Sequence, residues 1–172
     1  MILGMSVATF TLVHVVISLV GIATGFIVMA GMLSAKRMPG WTATFLLFTI
    51  LTSVTGFFFP IVKIGPPHIF GAVSLVLLAF TVFALYGRHL QGSWRPVYVA
   101  TVLIAQYLNV VVLVVQAYQK IPALNAIAPN GNEPAVGITQ GLVLIGFIAA
   151  GWRAVKRFHP PADVPLATAG AV

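Results

Sequence analysis

Apolar residues in this chain run in long blocks separated by short polar breaks, with no strict alternation along the chain. Five blocks stand out, at 6–33, 41–62, 68–86, 97–118 and 135–152. A helix needs about 20 mostly apolar residues to cross the hydrocarbon core of a bilayer. Inside that core a helix satisfies its own main-chain polar groups, which an open loop cannot do. The pattern therefore predicts an all-α integral membrane bundle of five transmembrane helices.

The breaks carry the residues that end and start helices. Lys36, Arg37, Pro39 and Gly40 follow the first block, and Gly65, Pro66 and Pro67 separate the second from the third. Residues 87–96 and 122–134 form the remaining connections. Proline suits a helix start because its missing N–H has no partner there in any case. Pro67, Pro96 and Pro134 stand at or just before the last three predicted starts. The first block is too long for the core of a signal peptide, about 7–15 residues, and predicts a retained helix. The segment 158–172, rich in proline and alanine, predicts a flexible cytoplasmic tail after a membrane domain at 1–157.

Composition excludes a water-solvated globule of this length. Of 172 residues, 60% are hydrophobic and 6% charged, against about 25% charged in a soluble domain. There is no cysteine, which rules out disulfides, thiolate metal sites and dithiol redox chemistry. The net charge of +7 does not point to nucleic acid, since the basic residues flank apolar blocks and suit lipid headgroups. In a five-span arrangement Lys36, Arg37, Arg88, Arg95, Arg153, Lys156 and Arg157 fall on one side, and Lys63 and Lys120 on the other. The positive-inside rule then puts the N-terminus outside and the C-terminus in the cytoplasm.

Membrane helices associate through small residues and interhelical hydrogen bonds, because lipid is as apolar as leucine. Ser18, Gly21 and Gly25 share a stripe with His14; Ser53 and Gly56 lie on a second; Gly137 and Gly141 form a third beside Gln140. These are the expected packing faces. On the fourth block Gln106, Asn109, Gln116 and Lys120 fall within a sector of roughly 80° at helical spacing, so this stripe is expected to face the interior.

Rise along each helix puts His14, His68, Asn109, Gln116 and Gln140 in the outer half of the bilayer. Thr52, Ser53, Thr55, Lys63, Lys120 and Glu133 join them there. The inner half has little comparable chemistry, and His89 and His159 lie among cytoplasmic cations. The five polar residues thus define a candidate outer pocket.

The stretches at 51–57 (LTSVTGF), 107–118 (YLNVVVLVVQAY), 120–124 (KIPAL) and 67–71 (PHIFG) resemble a family of small bacterial inner-membrane proteins. The resemblance covers roughly 41–140. It implies a bacterial cytoplasmic membrane and transfers no activity, cofactor or catalytic residue.

Three functions fit these residues. The first is a non-enzymatic accessory subunit, or a binder of a small or lipidic ligand, able to join copies of itself or a larger complex. The second is a redox subunit holding haem b or quinone, with His14 and His68 as candidate haem ligands. Their levels differ by on the order of 10 Å by rise alone, whereas two axial ligands of one haem must meet. The third is a channel or transporter for a neutral solute, since none of the five blocks contains an acidic residue of the kind proton-coupled carriers use. No hydrolytic triad, zinc-protease motif or phosphate loop is present.

Overall fold

The computed structural model describes residues 1–59 and 65–160. Among these the chain is helical, apart from turns and an isolated bridge between Ile2 and Met5. The helices are α1 (Val7–Leu33), α2 (Pro39–Gly56), α3 (Pro66–Val82), α4 (Trp94–Lys120), the single turn α5 (Pro122–Asn125) and α6 (Pro134–Arg157). A π-helical turn, Phe83–Gly87, prolongs α3. Four helical segments, at Val7–Leu33, His68–Gly87, Trp94–Lys120 and Pro134–Arg157, are long and apolar enough to cross a membrane. The chain is a multi-pass membrane protein by that measure.

Local chemistry sets the helix ends. Ser6 caps α1 by accepting the Thr9 N–H at 3.1 Å, filling one of the orphan donors of a first turn. The second block predicts a helix to residue 62, but α2 ends at Gly56. There the Phe57 and Phe58 N–H groups close three-residue bonds to Val54 and Thr55. Pro60 in the sequence explains the early stop: proline offers no N–H, clashes with the carbonyl four residues back and disfavours helix in the residue before it. Residues 60–64, including Lys63, lie outside the described part. At the other extreme α6 continues past the predicted end at 152 to Arg157. The Lys156 ammonium lies 3.7 Å from the centre of the Trp152 ring, an interfacial arrangement that lets an apolar stem lead to a wet charge.

The helices form a ring in chain order, α1 beside α2, α2 beside α3, α3 beside α4 and α4 beside α6, closed by α6 against α1; α1 also touches α4. The most apolar window of α4 is 44% buried and that of α6 only 6%, so α4 is the centre and α6 the outer stave. Its Ile138, Leu142, Ile145, Ile148 and Trp152 are all more than 60% exposed, as suits side chains that lipid covers. The main core joins Phe45, Leu78, Val99, Val102 and Ala154. A smaller cluster of Tyr118, Ala128 and Val136 lies where α4 and α6 meet the long connection.

The ends of these helices sort into two groups. Arg95 at the start of α4 donates to the Phe158 carbonyl after α6 at 3.1 Å. Lys36 and Arg37 (between α1 and α2), Pro39 (at the start of α2), Leu90 (after α3) and Phe158 line one cleft. Hence the end of α1, the start of α2, the end of α3, the start of α4 and the end of α6 share the basic end. His14 with Thr55, and Tyr118 with Thr139, mark the opposite one.

Phe158 stands where the expected tail begins. It is 2% exposed, and its ring stacks on Tyr98 at 5.8 Å. The rest of the expected tail, residues 161–172, lies outside the described part.

Candidate functional site

Among the described residues, no hydrogen bond joins any two of the five residues of the expected outer pocket. Thr55 donates to the Leu51 carbonyl at 2.6 Å, so its oxygen accepts from His14 Nδ1–H at 2.7 Å. This fixes the imidazole against α2, with its ring edge-on to Phe59. His68 Nδ1 accepts the Gly65 N–H of its own helix start at 3.4 Å, and the ring lies beside Phe57. Asn109 donates weakly to Thr49 on α2, at 3.5 Å. Gln140 donates to the Val111 carbonyl of α4 at 2.9 Å. Gln116 is exposed. Each of the four bonded residues has a partner outside the set of five.

Gln116 thus departs from the interior stripe expected on α4, as does Lys120, which is exposed as well. The two histidines face different phenylalanines and share no partner among the described residues. Among the described residues no three of His, Cys, Asp and Glu gather as a metal site would require.

Gln106 is fully buried and donates to the Ile22 carbonyl of α1 at 2.8 Å. A methyl group built on Gly25 would collide with its carboxamide, so this glycine makes room for the clamp. Gly21 lies against the main chain of Phe48 and Thr49, with 3.4 Å from an added methyl to the Thr49 hydroxyl. Gly56 faces His14, and the Ser53 carbonyl faces Gly71. Ser18 donates back to His14 within α1 at 2.7 Å. Gly137 and Gly141 differ: an added methyl on either meets nothing within 4 Å. Their expected packing face therefore has no partner among the described residues. Between α3 and α4, Thr81 donates to Thr101 at 2.8 Å.

A concave space lies at the basic end, where the sequence offers little chemistry inside the membrane. A cleft of about 220 Å³ opens between the α1–α2 turn, the turn after α3, and α4. Lys36 and Arg37 reach it from the first turn, Tyr86 and His89 from the second. Val28, Met32, Leu85, Leu90 and Phe158 form its apolar lining, with Thr42 and Tyr98 between. Lys36, Tyr86 and His89 are exposed and Arg37 is half-buried, so the charge is at the mouth.

Unusual backbone shapes both turns. Ala35 has φ 55°, and His89 and Leu90 have φ 49° and 60°, a region that non-glycine residues seldom adopt. The π turn ends where the Arg88 N–H reaches the Phe83 carbonyl at 2.9 Å. The left-handed pair then turns the chain so that Leu90 is buried while His89 stays at the surface. Strain and π turns of this kind collect at functional positions.

Two cations outside the cleft lining, Arg88 and Arg95, have structural contacts. Arg88 lies over the Trp94 ring at 5.7 Å, and Arg95 holds the Phe158 carbonyl. Among the described residues no carboxylate lines the cleft. Glu133, the one acidic side chain among them, is bound to Asn130 and Asn132 before α6, at the opposite end.

No family model, no curated protein and no solved structure matches this chain.

Proposed function

We propose that the protein crosses a bacterial inner membrane five times, with its N-terminus outside and its C-terminus in the cytoplasm. We further propose that it acts as a non-enzymatic subunit binding a small or lipidic ligand at the cytoplasmic rim. Five crossings are supported by α2, whose 18 residues reach about 27 Å at 1.5 Å per residue, close to the ~30 Å hydrocarbon thickness. They are supported too by the antiparallel order of helix ends at the basic end. The orientation follows from that end's cations, and the choice of membrane from the sequence resemblance.

The observation that carries the ligand reading is the cleft itself, a concavity with cations at its mouth and apolar side chains inside. Its 220 Å³ lies below the ~300–1,000 Å³ of pockets that take drug-sized ligands. That size disfavours a whole haem or quinone ring system there and suits a small group or one end of an amphiphile.

Two measurements test the two parts. Because the chain has no cysteine, single-cysteine variants report topology directly. In intact spheroplasts Glu133→Cys should react with a membrane-impermeant maleimide, and Arg88→Cys should not; equal labelling defeats the five-span arrangement. Native mass spectrometry after gentle detergent purification should show a retained small molecule. The substitution His89→Trp, which sets an indole at the mouth, should remove it. Retention at the wild-type level in that variant defeats the ligand reading.

A further inference from the structure

We propose that the cleft at the basic end takes the chain's own C-terminal segment, with the Asp163 carboxylate against the Arg37 guanidinium and the apolar residues after it on the apolar lining. The segment then competes with a ligand for the cleft, a consequence that rests on the ligand-binding reading.

Continuity carries the first step. Phe158, the residue after α6, is already part of the cleft wall. Its ring stacks on Tyr98, and Arg95 holds its carbonyl. With φ −72° and ψ 84° at Phe158, and the His159 N–H bonded to the Arg157 carbonyl at 2.8 Å, the backbone makes an inverse γ-turn. That turn stops α6 at the cleft, so the residues that follow set out from its rim.

Charge carries the second. Arg37 is engaged, yet the described residues offer it no carboxylate, since Glu133 is bound to Asn130 and Asn132 at the opposite end. The chain has two acids, and the other is Asp163, five residues past Phe158. No Lys or Arg stands among residues 158–172, so the segment brings no lysine or arginine charge against the basic rim.

Reach and lining carry the third. Five residues span at most about 17 Å, at ~3.3–3.6 Å each, whereas a sphere of 220 Å³ is about 7.5 Å across. Phe158 and Arg37 both line the cleft, so Asp163 can cross from one to the other with slack. Val164 and Leu166 come next in the sequence, and Met32, Leu85 and Leu90 offer them apolar surface away from water. The segment thus repeats the division of the cleft into charged mouth and apolar interior.

The test uses the full-length protein in membranes and exploits its lack of cysteine. Tyr86→Cys, exposed at the mouth, is combined with Val164→Cys and oxidised with copper phenanthroline. Arg153→Cys with Val164→Cys is the control, because Arg153 is exposed at the same end outside the cleft. The cleft pair should form an intramolecular disulfide at least fivefold faster than the control pair. Asp163→Lys should bring that advantage below twofold, and Arg37→Glu added to it should restore the advantage. Should Arg37→Glu fail to fold, Asp163→Asn replaces the swap and should fall between the parent pair and Asp163→Lys.

Equal rates for the two pairs overturn the proposal, by showing a segment with no preference for the cleft. An advantage that survives Asp163→Lys also overturns it. A disulfide-linked dimer in place of the intramolecular bond does the same, by giving the cleft to a second copy. Native mass spectrometry separates these failures from those of the ligand reading. Occupancy by a retained small molecule should rise at least twofold in Asp163→Lys. A small molecule held equally in both proteins, without the cleft disulfide, overturns the proposal and leaves the ligand reading intact. The cleft disulfide in a protein that retains no small molecule, with or without Asp163→Lys, supports the docking and defeats the ligand reading.

Discussion

Replacing Gly25 by alanine tests the packing at its tightest point. The added methyl occupies space held by the Gln106 carboxamide, and Gln106 is fully buried and tethered to Ile22, so it has little room to retreat. The glycine hydrogen that a side chain would replace points at Gln106 Oε1. That oxygen is buried and has no conventional hydrogen-bond donor, so this weak C–H contact is what it receives. Overpacking of this kind costs about 1–3 kcal/mol. Alanine recovers at most about 1 kcal/mol through helix propensity. The net expectation for Gly25→Ala is a loss of about 1–2 kcal/mol.

A double-mutant cycle isolates the cause. Gln106→Ala alone gives up the bond to Ile22, about 0.6 kcal/mol on average and up to about 1.7 between membrane helices, and opens a cavity. In the Gln106→Ala background the methyl at 25 meets no carboxamide and fills part of that cavity. Gly25→Ala should then be neutral or stabilising, which gives a coupling of about 1–3 kcal/mol. Gly137→Ala is the control, because nothing lies within 4 Å of its added methyl, and should fall within about 0.5 kcal/mol of wild type. The assay is reversible unfolding in mixed micelles of dodecylmaltoside and SDS, followed by tryptophan fluorescence. Equal losses for Gly25→Ala and Gly137→Ala, or a Gly25→Ala cost that persists in the Gln106→Ala background, would falsify the clamp.

Three further expectations concern α6 and its N-terminal turn. Tyr118 joins α4 to α6 through Thr139 at 3.0 Å, so Tyr118→Phe should cost about 0.6 kcal/mol. Gln140→Leu should be neutral or stabilising, because the lost bond to Val111 is offset by removing a buried Oε1 with no partner, a group costing about 1–3 kcal/mol; a clear loss in the same unfolding assay contradicts this. Hydrogen bonds from Asn130, its main-chain N–H foremost, hold the Glu133 carboxyl below the ordinary value of 4.5. Its stabilising effect is therefore complete above that value and disappears as pH falls through the lower folded value. Thermal melts of wild type and Glu133→Gln should differ near neutrality and converge in acid, and a gap that widens in acid refutes the assignment.

The helical elements were largely legible because each ends on a local signal. Proline, glycine and paired cations punctuate the blocks, and the predicted limits at 68–86 and 97–118 lie close to the helical segments found. The missed end of α2 had its own signal in Pro60, outweighed by the apolar residues around it. Phe158 was not legible as core, since a single aromatic after a basic turn has no periodicity to reveal its partner Tyr98. The stripe on α4 was read correctly in angle and wrongly in extent. Helices α2 and α4 both start at the basic end, and Asn109 meets Thr49. Seven residues further on, Gln116 stands level with Gly56, where α2 ends; nothing on that helix continues to cover it.

The same geometry explains why the polar residues of one half and the cations of the other have different fates. Lipid supplies no hydrophobic drive to bring helices together, so register depends on specific contacts. His14, Gln106, Asn109 and Gln140 each tie their helix to a neighbour, and a side chain used in that way has little capacity left for a ligand. At the basic end register is held by other means, by Phe45, Val99 and Val102 in the core, the threonine pair and the Arg95 clamp. Lys36 and Arg37 stand there at the mouth of a cleft whose described lining carries no acidic side chain. With register already fixed by those contacts, this end can leave a concavity between its helices, and the ligand reading rests on that concavity.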